Sequence, residues 1–359
     1  RVELFGVALD GGSPAVQLDE AWVAHFALTP DGRDVVYHAD GELLVRPVDG
    51  SGASLVLGGA LYPYSVTPDG SRVLAVGEGA EPELVSVPLD GSSPPAVLSA
   101  AFDIISGAQV SPDSSRVLFL SALEGEHVLL SAPCDGSTPA ALLSPVGMSA
   151  GSFSVAEDGT WVVFEVYGDP PSAEGLYGAP TDGSAAATLL LLRPSGFIQA
   201  FAVSSLADRL VFLDQGRLFS MQLHGGTPVS LDGGAAAPTD RFFLTHDGAR
   251  VVYLSYASFD SLDVFSVPSD ASTPPVQLST NPAGPETPIR HGRELAFELT
   301  ADDSLAIYRA SDEIVAVRLD DSAPPRPLLG GLGYSLGFGE LHASPDSSAA
   351  VAYLVRTDF

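Results

Sequence analysis

Leu28-Thr29-Pro30-Asp31-Gly32 leads into Val35-Val36-Tyr37, and Val66-Thr67-Pro68-Asp69-Gly70 leads into Val73-Leu74-Ala75-Val76; each is an apolar residue, a tight turn and a β-rich run. The residue types explain the turn. Proline presets φ at the second position, aspartate hydrogen-bonds locally, and glycine accepts a left-handed exit. Related turns recur at Ser111-Pro112-Asp113-Ser114, Ala156-Glu157-Asp158-Gly159, Thr245-His246-Asp247-Gly248, Thr300-Ala301-Asp302-Asp303 and Ser344-Pro345-Asp346-Ser347. A degraded copy, Ser204-Ser205-Leu206-Ala207, lacks Pro-Asp-Gly and is expected to give a longer or irregular hairpin.

A second motif follows each turn by about 20 residues: Val48-Asp49-Gly50-Ser51, Leu89-Asp90-Gly91-Ser92, Cys134-Asp135-Gly136-Ser137 and Thr181-Asp182-Gly183-Ser184, with weaker copies at 223–226, 269–272 and 319–322. Asp-Gly between extended runs is a strong hairpin signal. Each period therefore holds four strands. Taking the residue before each opening turn as a register mark (Leu28, Val66, Val110, Val155, Val203, Leu244, Leu299, Ala343), the steps run from 38 to 55 residues. Such periods with four strands per unit predict a β-propeller of four-stranded blades.

After Ala343 too little chain remains for a whole blade, whereas Val2 to Leu9, Asp10-Gly11-Gly12-Ser13 and Ala15 to Leu18 read as a third strand, a hairpin and a fourth strand. The expectation is an all-β, eight-bladed β-propeller forming a single domain over residues 1–359. Its last blade would combine about 336–359 with 1–19, so that pairing the two ends closes the ring.

The paired pattern of Ser/Thr-Pro-Asp-Gly turn and Asp-Gly-Ser hairpin resembles the TolB-type β-propellers, whose repeat also occurs in prolyl-oligopeptidase-like enzymes. The resemblance spans essentially the whole chain and implies the propeller fold and a periplasmic or extracellular setting. The motif it rests on is scaffold. No Trp-Asp dipeptide ends a strand, against a WD-repeat subtype.

Composition narrows the function classes. The formal charge is −29, and 16 of the 45 acidic residues lie in the two turn families, leaving 29 acids against 16 arginines. A surplus of that sign argues against nucleic acid and anionic membrane as partners and for a soluble, self-repelling monomer. The chain has no lysine, which removes P-loop, Schiff-base and Ser-Lys chemistry. The single Cys134 excludes an internal disulfide and reads as a core residue. No apolar run approaches the roughly 18 residues that cross a bilayer. Arg1 opens the chain without a signal-like segment, so it reads as a processed form or an excised domain.

Two chemical motifs are weak. Gly333-Tyr334-Ser335-Leu336-Gly337 matches G-x-S-x-G, but a nucleophile elbow needs a following helix and then an acid and a histidine, and only 22 residues remain. The seven histidines show no H-E-x-x-H spacing, and the Asp-rich turns lack an EF-hand pattern, so no cofactor or metal is expected.

The turns share one rim. The opposite rim carries the loops between second and third strands and the blade-to-blade connections, at Gly77 to Glu83, Leu123 to His127, Tyr167 to Gly175, Tyr256 to Asp263 and Asn281 to Gly292. Variable loops on a rigid scaffold are where binding concentrates. Candidate ligand-binding residues entering the inner strands there are Trp22, His25, Tyr62, Tyr64, Asp103, Arg290, His291 and Tyr334. The reading is a non-catalytic binding or scaffolding propeller that takes a protein, peptide or small ligand over the central channel. Two alternatives stand beside it: the propeller part of a larger peptidase-like protein, and a channel-centred, metal-dependent lactonase or lyase.

Overall fold

A computed structural model describes residues 3–7, 14–20, 23–59, 61–77, 83–99, 103–168, 173–193, 198–234, 239–258, 261–279, 297–310, 313–329, 336–344, 347 and 350–356. Among these residues all regular elements longer than a turn are β-strands, 32 in number. They form seven four-stranded antiparallel sheets, each built from four consecutive strands, and two two-stranded sheets, Leu4–Gly6 with Val16–Asp19 and Leu336–Ala343 with Ala350–Arg356. The chain is an all-β, eight-bladed β-propeller. It divides into two compact units, Arg1–Ser195 and Gly196–Phe359. The first contains the N-terminal two-stranded sheet and blades 1 to 4, the second blades 5 to 7 and the C-terminal two-stranded sheet.

Within each unit, the second strand of a blade that stands between two others is apolar at consecutive positions because it packs against a neighbouring blade on both sides. In blade 2, Val73 and Ala75 pack with Val36, Leu43 and Val45 of blade 1, while Leu74 between them packs with Val117, Phe119 and Leu130 of blade 3. Leu118 of blade 3 then faces Val162 and Phe164 of blade 4. The second unit repeats this, with Val251 and Tyr253 against Val211 and Leu218 on one side and Val252 and Leu254 against Ala306 and Tyr308 on the other. The period of two in side-chain direction thus becomes the packing of blade on blade.

The N-terminal sheet is fixed to blade 1 in the same way. Leu4 and Leu18 cover Val23, Val35 and Tyr37. The fully buried Tyr37 donates its hydroxyl to Asp19 at 2.8 Å and lies 2.8 Å from the Ser54 hydroxyl. Arg46 binds the carbonyl oxygens of Leu18 and Gly52.

The opening turns are built as their residues predict, and more besides. Thr67 N donates to Arg72 O (2.9 Å), Gly70 N to Thr67 O (2.8 Å), and the Thr67 hydroxyl donates to Asp69 and accepts from Arg72 N (3.1 Å). Asp69 also accepts from Ser71 N. The same bonds recur around Thr29, Ser111, Thr245 and Thr300. The exit residue has positive φ throughout: Gly70 at 71°, but Ser114 at 60°, Asp303 at 55° and Ser347 at 58°. Where that residue carries a side chain, it reaches the preceding blade's turn. Ser114 accepts from Asp69 N (2.9 Å) and Ser347 from Asp302 N (3.0 Å), and the Asp303 carboxylate accepts from the backbone N–H groups of His246 and Asp247 (both 2.9 Å) and lies 2.8 Å from His246 Nδ1. The departures from glycine are therefore clasps between blades, sited where a helpful side chain offsets the cost of left-handed backbone.

In blade 5, where a longer or irregular hairpin is expected, the hairpin is irregular. Val203 pairs with Leu210 across the same sequence interval that separates Val66 from Val73. The turn is irregular but not longer. Its left-handed residue is Asp208 (φ 52°), one position later than in the other blades, and Asp208 N bonds Ser205 O.

A second device ties the second strand to the third. Arg72, Arg116 and Arg250 donate through Nε to the buried hydroxyls of Ser86, Ser131 and Ser266 at 2.6, 2.7 and 2.9 Å. In blade 4 the bulkier Trp161 takes the arginine position and Gly178 the serine position. A methyl group at Gly178 would lie 2.8 Å from the Trp161 indole nitrogen.

Candidate functional site

The Asp-Gly-Ser hairpins share the rim of the opening turns and are equally committed to structure. The serine N–H at Ser51, Ser92, Ser137, Ser184 and Ser272 donates to the aspartate two residues earlier at 2.8–2.9 Å. Bonds from the serine side chain and backbone hold Asp49, Asp90, Asp135, Asp182 and Asp270 below the usual carboxylate range. The hairpin glycine meets the outer strand of the preceding blade: a methyl at Gly136 would lie 2.8 Å from Ala96 Cβ, and one at Gly183 2.8 Å from Ala141 Cβ. Cys134 is buried in the same layer, and burial pushes its thiol up to about 12. It is a core residue, not a nucleophile.

The opposite rim is built differently. Blades 1, 3 and 5 join their second and third strands by two-residue turns with both residues left-handed: Asp40-Gly41 (φ 49° and 83°), Glu124-Gly125 (52° and 90°) and Gln215-Gly216 (49° and 73°). These are hairpin turns of type I′. Leu123 to His127, expected as a variable loop, is thus a tight turn with Leu123 paired to Glu126. Tyr256 to Asp263 is also mostly strand, since pairing runs on to Ser258 and Ser261. Blade 4 keeps a longer loop, in which Gly168 N approaches Glu174 Oε1 (3.4 Å) and Tyr177 donates to Ala173 O (2.9 Å). Burial, with Glu165 beside it, pushes the Tyr167 phenol well above its ordinary range.

Of the eight candidate residues, Trp22, Arg290, His291 and Tyr334 lie outside the described residues, as does the Asn281 to Gly292 connection. Tyr62 lies on the inner strand Leu61–Val66 and Asp103 on Asp103–Val110. His25 is exposed on Val23–Leu28, paired with His38 of the next strand. Tyr64 is half-buried against blade 1, and its hydroxyl donates to Val36 O at 3.1 Å, so it also works as a bond between blades. Ser335 lies outside the described residues, and the chain after it enters the strand Leu336–Ala343 rather than a helix.

Sequence reasoning missed the polar plugs on this rim. The hydroxyls of Ser99, Ser144 and Ser279 accept from the third-strand N–H groups of Leu84, Leu129 and Val264 at 2.8, 3.1 and 3.1 Å. In blade 5, Asp232 takes that place. It accepts from Leu218 N, Gly234 N and Ser230, and from both Arg217 Nε (2.6 Å) and Nη2 (2.9 Å). Burial pushes this carboxyl up, but the Arg217 guanidinium and the other donors outweigh it and bring it to about 2. The signal was visible as a serine or aspartate just after a leucine in Leu98-Ser99, Leu143-Ser144, Leu231-Asp232 and Leu278-Ser279. Between blades 3 and 4, Ser149 donates to Glu126 and accepts from His127 N at 3.1 Å. That hydroxyl meets a carboxylate and a backbone amide rather than an imidazole, so it has no base of the kind that activates a serine. Among the described residues no group of three or more His, Cys, Asp or Glu side chains could hold a metal ion.

Comparison with known proteins agrees with the architecture. No curated protein matches. Among solved structures, a eukaryotic initiation factor aligns with TM-score 0.61 at 13% identity over 92% of this chain and 80% of its own. An oligogalacturonate lyase in complex with manganese aligns with TM-score 0.51 at 13% identity over 92% and 94%. A prolyl endopeptidase gives TM-score 0.48 at 14% identity over 94% of this chain and 54% of its own. At such identities the likeness is one of fold alone. The decisive match is to the family described as the lipoprotein LpqB β-propeller domain, over residues 10–220, more than half of the chain. With its repeated turns and four-stranded blades, the chain belongs to the lipoprotein LpqB β-propeller domain family.

Proposed function

We propose that this propeller is a non-catalytic binding or scaffolding module that recognises a protein, peptide or small ligand on the rim opposite its Pro-Asp-Gly turns. The observation that supports this is the unequal use of polar groups. On the turn rim, threonine, serine and aspartate side chains are spent on local backbone and neighbouring turns. On the other rim the connections differ from blade to blade, from the two-residue Glu124-Gly125 turn to the longer loop before Gly175. Trp22, His25, Tyr62, Asp103, Arg290, His291 and Tyr334 remain the proposed contact set, with Tyr64 both a contact and a support. Family membership supports a setting at the cell envelope. The net charge of −29 favours a monomer and a cationic partner whose association slows as salt rises.

The test places a photo-cross-linking amino acid at Tyr62 or at Ser92 in the cells that make the protein. Adducts from position 62 and none from position 92 are expected. Adducts from 92 alone would place recognition on the turn rim and overturn the reading.

A further inference from the structure

The outermost strand of every blade is an edge, and edges with unpaired backbone groups recruit other strands unless something blocks them. Five blades and the N-terminal sheet carry proline in the two positions before that strand: Pro94-Pro95, Pro139, Pro228, Pro274-Pro275 and Pro324-Pro325 in the blades, and Pro14 in the sheet. Their outer strands are short: Val16–Asp19, Ala96–Val97, Ala141–Leu142, Val229–Ser230, Val276–Gln277 and Arg326–Leu329. Register fixes the equivalence, since Ala96 pairs with Ser86, Ala141 with Ser131, Val276 with Ser266 and Thr188 with Gly178. Blades 1 and 4 have Ala53-Ser54 and Ala186-Ala187 instead, and theirs are the two five-residue outer strands, Leu55–Gly59 and Thr188–Leu192.

The two edges without proline are not equal. In blade 1, Leu55 sits against the hairpin at Gly91, where a methyl would lie 3.0 Å from Leu55 Cδ2, and the strand runs out in Gly58-Gly59. Blade 4 presents Thr188-Leu189-Leu190-Leu191-Leu192. Leu190 is tucked beside Gly178, while Leu189 and Leu192 are 41% and 46% exposed. Among the described residues the strand is terminal in its sheet, with no strand along one backbone edge, and its register shifts at Leu190, between the Leu191–Leu176 and Leu189–Tyr177 pairs. Asp182 stands in the hairpin before the strand, and at the far end Arg193, whose N–H donates to the Glu174 carbonyl at 2.7 Å, stands beside Glu174, so the acidic end is the one at Thr188. A second copy of this chain would bring its own −29 charge to the contact.

We propose that Thr188–Leu192 is a strand-addition site for an extended segment of a partner protein with alternating apolar and basic side chains. Backbone hydrogen bonds to the open edge would supply the register, Leu189 and Leu192 the apolar contact, and Asp182 with the chain's net charge of −29 the preference for cationic residues. The site lies on the outer perimeter, apart from the rim proposed above, and does not depend on that reading.

The experiment measures fluorescence anisotropy of a short labelled peptide of alternating lysine and valine. The protein is used whole, as wild type and as Ala187→Pro, which installs the proline found in the other blades; a thermal melt checks that the variant is folded. Binding to wild type should weaken by about tenfold or more in the variant, and equally when alternate peptide amides are N-methylated, a change that leaves the protein untouched. A glutamate-valine peptide should not bind. Failure of the lysine-valine peptide to bind wild type, or binding indifferent to N-methylation, would overturn the proposal. So would a wild-type dimer that Ala187→Pro splits, because the edge would then belong to a second copy.

Discussion

The turn at Thr67-Pro68-Asp69-Gly70 and the turn at Glu124-Gly125 both reverse a strand within a blade, on opposite rims, and they use their residues in opposite ways. In the first, the threonine hydroxyl and the aspartate carboxylate close bonds inside the turn, and Asp69 N is clasped by Ser114 from the next blade. In the second, two left-handed residues suffice, and nothing lies within 4 Å of where a Gly125 methyl would sit. A rim made of the first kind is scaffold from end to end. A rim made of the second kind reverses its strands through backbone conformation, and its side-chain bonds, such as Ser149 to Glu126 and His127 N to Ser149, differ from blade to blade instead of recurring in every turn.

Substitutions can break this contrast. Gly136→Ala should destabilise by about 2–3 kcal/mol, because a left-handed alanine is unfavourable and its methyl would meet Ala96; Gly125→Ala should lose only the first part, about 1–2 kcal/mol. Equal losses in chemical denaturation would remove the distinction between the rims. Thr67→Val keeps the shape of a fully buried side chain but leaves Arg72 N without its hydroxyl acceptor, at a cost of about 1–3 kcal/mol.

Acid should act through the turn rim. Donors from Thr29 and the Arg33 backbone hold Asp31 below its ordinary value, and the hairpin aspartates are lowered by their serines. Groups with a depressed folded-state pKa contribute stability that is complete above the unfolded value, about 3.9, and that is lost as pH falls through the folded one. Melting temperature should therefore stay level from neutrality to about pH 5 and fall below about pH 4, with Asp232, at about 2, among the last to protonate. The smallest effect is expected at Ser114→Gly. It loses one inter-blade hydrogen bond but relieves a left-handed serine, so its stability should lie within about 0.5 kcal/mol of wild type. A large loss would show that the clasp matters more than the strain it offsets.

The fold was legible because its signals are local. Asp-Gly hairpins, Pro-Asp-Gly turns and alternating apolar runs each report on a few neighbouring residues, and the repeat multiplies them. Blade 5 left length and irregularity open because Leu206-Ala207 hides a left-handed residue that has moved one place to Asp208. The Leu123 to His127 hairpin was taken for a loop because Glu-Gly is a weaker type I′ signal than Asn-Gly or Asp-Gly. The candidate site was less legible for a physical reason. Whether an aromatic such as Tyr64 meets a ligand or the carbonyl of Val36 depends on the distance between blades, which no local pattern encodes.

The division between the rims is the central claim, and a saturation scan of single substitutions scored by protease resistance tests it without any knowledge of the partner. Thr67, Asp69, Thr245 and Asp247 on the turn rim should tolerate few replacements, while His25, Glu124 and His127 on the other rim should tolerate most. Broad tolerance at the turn residues together with intolerance at His25 and His127 would contradict the account.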